Sequence, residues 1–153
     1  MCIRDRYGAQ RRVDGYRDAL LDAGLGSDEA LIEAGDFTEE GGSRAMTALL
    51  SRRPDLDAVF AASDVTAAGA RQALREAGRR IPDDVALVGY DDSAIARHME
   101  PPLTSVRQPI AEMGRQMINL LLTEIADRRP AASRELDRRQ VELVTELVAR
   151  ASS

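Results

Sequence analysis

An α/β fold, with an open and mostly parallel sheet flanked by helices, is predicted by three observations. Helical and extended patterns alternate along the chain as far as Asp92. Two continuous apolar runs, Ala58-Val59-Phe60-Ala61-Ala62 and Val85-Ala86-Leu87-Val88-Gly89-Tyr90, read as strands covered on both faces. The segment joining them is long enough to hold a crossover helix, and such crossovers are nearly always right-handed.

The elements follow in order. Val13, Tyr16, Leu20 and Ala23 recur at helical spacing, which predicts a helix over 10–24 ending at Gly24. Residues 30–35, with Leu31 and Ile32, read as a short strand ending in Gly35-Asp36-Phe37-Thr38. A helix over 40–52 buries Ala45, Met46, Leu49 and Leu50 and stops before Pro54. After the strand at 58–62, Ser63-Asp64 leads into a helix over 66–78 striped by Ala67, Ala70, Leu74 and Ala77. A turn at Ile81-Pro82-Asp83-Asp84 precedes the strand 85–90, which runs into Asp91-Asp92. The stretch 101–109 is too rich in proline for a central strand and reads as an extended crossing. A helix over 110–126 follows, striped by Ile110, Met113, Met117, Leu121 and Ile125. Residues 127–139 are charged and read as loop, and 141–148 as one or two short strands.

Composition narrows the function. The chain has 153 residues, 26 acidic and 21 basic, for a net charge of −5. An acidic chain is a poor nonspecific binder of nucleic acid, because that affinity rests on Lys and Arg. The one cysteine, Cys2, excludes an intrachain disulfide and a thiolate metal site, and fits a cytoplasmic setting. No apolar run is long enough to cross a bilayer, and Arg4, Asp5 and Arg6 interrupt the place of a secretory signal. No membrane partner and no cofactor are expected.

Ligands of open α/β sheets bind outside the carboxyl ends of the strands. Three such ends carry polar or aromatic groups: Asp36-Phe37-Thr38, Ser63-Asp64 and Tyr90-Asp91-Asp92. If successive buried strands point the same way, Phe37, Ser63 and Asp91 gather on one rim, as a pocket for a small polar ligand requires. Carboxylates accept from hydroxyls, and an aromatic ring suits the apolar face of a sugar or base. Each group also has a structural reading. Ser63 or Asp64 caps the helix that follows, Asp92 caps a short helix near 93–97, and Phe37 belongs to the core. Asp64, Asp91 and Asp92 would alternatively hold magnesium for phosphoryl transfer. Against this, the chain has no lysine and therefore no phosphate loop with one, and it has no G-x-S-x-G. His98 stands alone. An enzyme is not expected.

In order along the chain, several motifs resemble the lactose/galactose repressor (LacI/GalR) family of bacterial regulators. They are 12–20 (Arg12-Val13-Asp14-Gly15-Tyr16 onward), Gly35-Asp36-Phe37, 58–64, 81–92, Pro101-Pro102-Leu103-Thr104-Ser105-Val106-Arg107-Gln108-Pro109, Glu112-Met113-Gly114 and the ending 146–153. The resemblance implies a truncated periplasmic-binding-protein-like lobe. It implies a sensor of a small polar effector, such as a carbohydrate, within a repressor that works as a homodimer. Operator DNA would be read only through a helix-turn-helix that these residues lack. Arg12 resembles the arginine that grips ligand, Phe37 the stacking aromatic, and Asp91 the carboxylate that accepts from hydroxyls. Gln108 would line the cleft near the crossing, and Ser63, before Asp64, stands where the family usually has Asn. The resemblance also divides the chain. Residues 1–9 are a linker or a non-native scar, 10–106 and about 139–150 the C-terminal lobe, and the helix at about 109–127 a piece of the N-terminal lobe. That helix, without its partners, is expected to pack poorly. A sugar transporter's solute-binding protein would share this architecture.

Overall fold

The computed structural model describes residues 7–126 and 141–153. The N-terminal residues 1–6 and the charged stretch 127–139, read above as loop, lie outside them. The described chain is ordered α1 (Tyr7–Asp22), a 3-10 turn (Glu29–Leu31), α2 (Glu39–Arg52), β1 (Ala58–Phe60), α3 (Asp64–Glu76), β2 (Ala86–Asp91), α4 (Ala94–His98), β3 (Thr104–Arg107), α5 (Ile110–Ala126) and β4 (Glu146–Val148). It divides into two units: Met1–Arg107 with Leu147–Ser153, and Gln108–Glu146.

In the first unit the strands lie in the order β1-β2-β3-β4. β1 and β3 both run parallel to β2, with Ala58 opposite Ala86 and Val88 opposite Thr104. Their carboxyl ends therefore share one edge. Along β2, Leu87 and Gly89 are buried and alternate with half-buried Val88 and Tyr90. Successive strand side chains point to opposite faces. The N-terminus of α3 lies on the Gly89 face, where a Cβ at Gly89 would meet Asp64 Oδ1 at 2.5 Å. Arg12 of α1 lies over the Tyr90 ring on the other face. Helices thus flank the sheet on both sides.

The core is small and aliphatic. Met46 and Leu49 of α2 meet Ala67, Ala70, Ala73 and Leu74 of α3, together with Val85, Leu87, Ala96, Met99 and Leu103. Thr38 caps α2 by accepting from Gly41 N–H, and Glu39 and Glu40 sit in the first turn, where the helix dipole favours negative charge. Two glycines let α2 and α3 touch by backbone. A Cβ at Gly42 would lie 2.2 Å from the Thr66 carbonyl oxygen, and one at Gly69 would lie 1.8 Å from that of Glu39. Ala67, Ala70 and Leu74 of the α3 stripe are buried in this packing, whereas Ala77, Gln72, Arg75 and Glu76 are exposed.

Two expected elements differ. Residues 30–35 form no strand. Asp28 accepts from Ala30 N–H and starts a single 3-10 turn, a local bond that competes with extension. The stretch 101–109 supplies an interior strand, because its prolines flank residues 104–107 instead of interrupting them. The place before Thr104 in that ladder is filled from the chain's end. Leu87 N–H donates to the Ser152 carbonyl, and Ser152 Oγ accepts from Thr104 N–H at 2.8 Å. Helix α1 begins at Tyr7, with Ala9 and Val13 buried, and 141–148 holds one strand, β4.

In the second unit, α5 forms over the expected residues, yet none of its side chains is buried. Ile110, Met117, Ile118, Leu121, Leu122 and Ile125 are each more than half exposed, from 53% at Leu121 to 68% at Ile125.

Candidate functional site

The carboxyl edge of β1 and β2 is organised around Asp64. Ser63, not Asp64, caps α3: its Oγ accepts from Thr66 N–H at 3.2 Å and lies 2.9 Å from Thr66 Oγ1. That leaves the Asp64 carboxylate, fully buried, to reach across the sheet. Oδ1 accepts from Ser105 Oγ at 2.6 Å and Oδ2 from Ser93 N–H at 2.7 Å. Gly89 makes room for it. Asp64 thus ties the end of β1 to the turn after β2.

Asp91, the last residue of β2, stands at φ 114°, and Asp92, which opens the turn, at φ 52°. Asp92 does not cap α4. Ser93 occupies the cap position without a side-chain bond, and the Asp92 carboxylate turns inward instead. Oδ2 accepts from Arg107 Nε at 2.7 Å and Oδ1 from Arg150 Nη2 at 2.5 Å. Burial pushes this carboxyl up, but the hydrogen bonds from Arg107 and Arg150 outweigh it and hold the group below its ordinary range. Among the described residues no cluster of acidic, His or Cys side chains is suited to a metal. The bonds to Asp64 and Asp92 explain why, since these carboxylates are occupied by hydroxyl, amide and guanidinium donors.

Next to the turn, Tyr90 carries the Arg12 guanidinium 4.0 Å above its ring. This cation–π contact is worth about 0.5–2 kcal/mol. Arg12 Nε is buried and makes no hydrogen bond. Asp91, the next residue along β2, is half-buried. Phe37 arrives differently, from the loop before α2, with φ 63°. The loop is pinned by Asp36, whose Oδ1 accepts from the hydroxyl and N–H of Thr38 and whose Oδ2 accepts from Arg44 at 2.9 Å. The Thr38 bonds hold the Asp36 carboxyl below its ordinary value. Because the first turn of α2 packs on α3 through Gly42 and Gly69, the Phe37 loop stands at the same end of the unit as Ser63.

Of the residues singled out in the sequence, Ser63, Asp64 and Asp91 stand at the carboxyl ends of β1 and β2, Arg12 packs on Tyr90 on the face opposite Asp64, and Phe37 lies in the loop before α2. Ser63 and Asp64 direct their polar atoms to protein partners. Gln108 belongs to the second unit. Ser105, Arg107 and Arg150 were missed as members of the rim. Tyr90 was in view as a neighbour of Asp91, but Arg150 lies 58 positions from Asp92, and no local pattern signals that pairing. A separate cavity of about 380 Å³, lined by Tyr16, Leu20, Leu31, Ile32, Leu49 and Phe60 among others, shares no residue with the rim.

This architecture, parallel strands whose carboxyl ends present a polar rim, is that of a ligand-binding lobe, and the chain belongs to the periplasmic binding protein-like domain family, which matches residues 1–153. Within that class it is an effector-binding fragment of the LacI/GalR type. The HTH-type transcriptional regulator CelR of Thermobifida fusca is 54% identical over 122 residues, covering 80% of this chain and 36% of the relative. The HTH-type transcriptional regulator GalR of Escherichia coli K12 is 40% identical over 122 residues, covering 80% and 35%. The chain thus spans about a third of the length of these curated relatives. A solved CelR–cellobiose complex superposes with a TM-score of 0.88 at 47% identity, covering 99% of this chain and 45% of that one. A LacI family regulator from Arthrobacter in complex with lactose superposes with a TM-score of 0.75 at 26% identity, covering 92% and 50%.

Proposed function

We propose that these residues are part of the sensor of a cytoplasmic transcriptional repressor, and that its effector is a carbohydrate of the cellobiose kind. The observation that carries this reading is the Arg12–Tyr90 contact next in sequence to half-buried Asp91, at the carboxyl end of β2 in a lobe most similar in sequence, among the relatives above, to CelR. In this reading Arg12 offers a planar donor fork to ligand oxygens, with Tyr90 holding the fork in place. Asp91 accepts from sugar hydroxyls, and the Phe37 ring lies against the apolar face of the sugar. Ser63 and Asp64 shape the rim from beneath. Gln108, with the residues around 109–127, belongs to the other lobe.

Effector binding shifts the population between two lobe arrangements. In the whole protein two copies pair, and the change in lobe arrangement alters the spacing of two helix-turn-helix heads that contact operator DNA. Such coupling needs two sites and two global states, and it is reciprocal.

Calorimetric titration of the full-length protein with cellobiose, lactose, ribose and magnesium chloride tests the reading. Saturable heat with cellobiose, with the affinity clearly weakened by Asp91→Asn, is expected. Heat with magnesium alone, or with none of the sugars, would overturn it.

A further inference from the structure

Asp91 and Asp92 are consecutive and both stand at positive φ. Residues with a Cβ rarely adopt such backbone, and they keep it only where the surroundings over-determine it. At Asp92 they do. Its N–H donates to Ser105 Oγ at 3.0 Å, and its carbonyl accepts from Arg97 at 3.1 Å. Its two carboxylate oxygens accept from Arg150 and Arg107. Every polar atom of the residue is held. The following N–H, that of Ser93, is held by Asp64. The Asp92 side chain is 3% exposed, so it is closed to a ligand, whereas Asp91 beside it is half-buried.

The two arginines occupy particular places in the chain. Arg107 is the last residue before the chain leaves the first unit, and Arg150 comes just after it re-enters at Leu147. One buried carboxylate, adjacent to Asp91, is therefore gripped by both segments that carry the chain out and back.

We propose that Asp92 is a positioning residue: by clamping Arg107 and Arg150 it holds Asp91 in the strained backbone that ligand binding uses, and it makes effector affinity depend on the two crossing segments. This rests on the reading of Asp91 as a ligand residue. A conformation held from four sides is binding-competent before ligand arrives, so less of the binding free energy is spent on ordering it. By reciprocity, ligand on Asp91 stabilises the grip on the crossing segments.

The test is a double-mutant cycle in the full-length protein, with cellobiose as probe. Asp92→Asn removes the charge that both arginines grip. Arg107→Gln loosens the same clamp from a side chain that is 47% exposed, and so guards against a simple folding defect. Each is expected to weaken cellobiose binding about tenfold, within the range usual for coupled sites. Added to Asp91→Ala, neither is expected to weaken it further, because Asp92 acts through Asp91. Hydrogen exchange of the peptide around 90–93 is expected to speed up in both variants. Unchanged affinity, additive losses or unchanged exchange overturns the proposal while leaving the sugar reading intact. No binding by the unsubstituted protein overturns the sugar reading and this proposal with it.

Discussion

The Arg12 guanidinium carbon sits 4.0 Å from the centre of the Tyr90 ring, joining the first helix to the second strand beside Asp91. The contact fixes the plane of the guanidinium, while Nε is buried without a hydrogen-bond partner. Replacement by lysine keeps the charge but loses the planar fork and the stacking geometry. Arg12→Lys is expected to weaken sugar binding by about 1.5–3 kcal/mol, roughly tenfold or more. Calorimetry measures the loss, and a thermal melt moved by only a few degrees shows that the fold is not its source.

Glycines in this chain differ by what surrounds them. A Cβ at Gly69 would sit 1.8 Å from the Glu39 carbonyl oxygen, whereas one at Gly15, inside α1, meets nothing within 4 Å. Gly69→Ala therefore has to push two helix backbones apart, and a loss of about 1–3 kcal/mol is expected. Gly15→Ala removes a helix-interior glycine at no steric cost and should gain about 0.5–1 kcal/mol. Urea titration of the two variants checks the opposite signs. Equal effects would show that α2 and α3 do not pack through Gly69.

Acid should release the Asp92 clamp. The folded carboxyl is held below its ordinary value of 3.8, against the opposing effect of burial, by hydrogen bonds from Arg107 and Arg150. A depressed folded value gives stability that is fully present above the unfolded value and is lost as pH falls through the folded one. Melting temperatures recorded between pH 6 and pH 2 are expected to fall below about pH 4. In Asp92→Asn that fall should be shallower, because one proton fewer is taken up on unfolding. It should not vanish, since Asp36 and Asp84 are also held low, Asp84 to about 2 by Arg80.

Helix α5 buries none of its residues, although Ile110, Met117, Leu121 and Ile125 make an apolar stripe along it. A helix in a protein draws most of its stability from tertiary packing of its apolar face. In the 153-residue chain the α5 amides are expected to exchange far sooner than those of β2, by hydrogen exchange read by mass spectrometry. Equal protection would mean that the stripe is covered in solution.

Much of the fold was legible because it is local. The two buried strands, the helices over 39–52, 64–76 and 110–126, and the proline stop at Pro54 all show as periodicity or punctuation within a dozen residues. The 30–35 segment misled because Leu31 and Ile32 look extended, while the bond that decides their shape comes from Asp28 just outside the run. The proline count misled at 101–109 because position matters more than number. With prolines only at the flanks, Thr104–Arg107 kept every N–H that the ladder needs. On the site, strand direction named Phe37, Ser63 and Asp91 together, and the resemblance added Arg12 and Gln108. The division of labour between Asp91 and Asp92 was not visible, since two adjacent aspartates read alike.

The sequence by itself determined the alternation of helix and strand, and with parallel strands that places Ser63 and Asp91 at one edge, because every crossover returns the chain to the same end of the sheet. Tertiary structure alone decided which carboxylates face outward. Asp64 and Asp92 were drawn in by Ser105, Arg107 and Arg150, partners 15 to 58 positions away, and a buried charge goes wherever the folded chain supplies its donors.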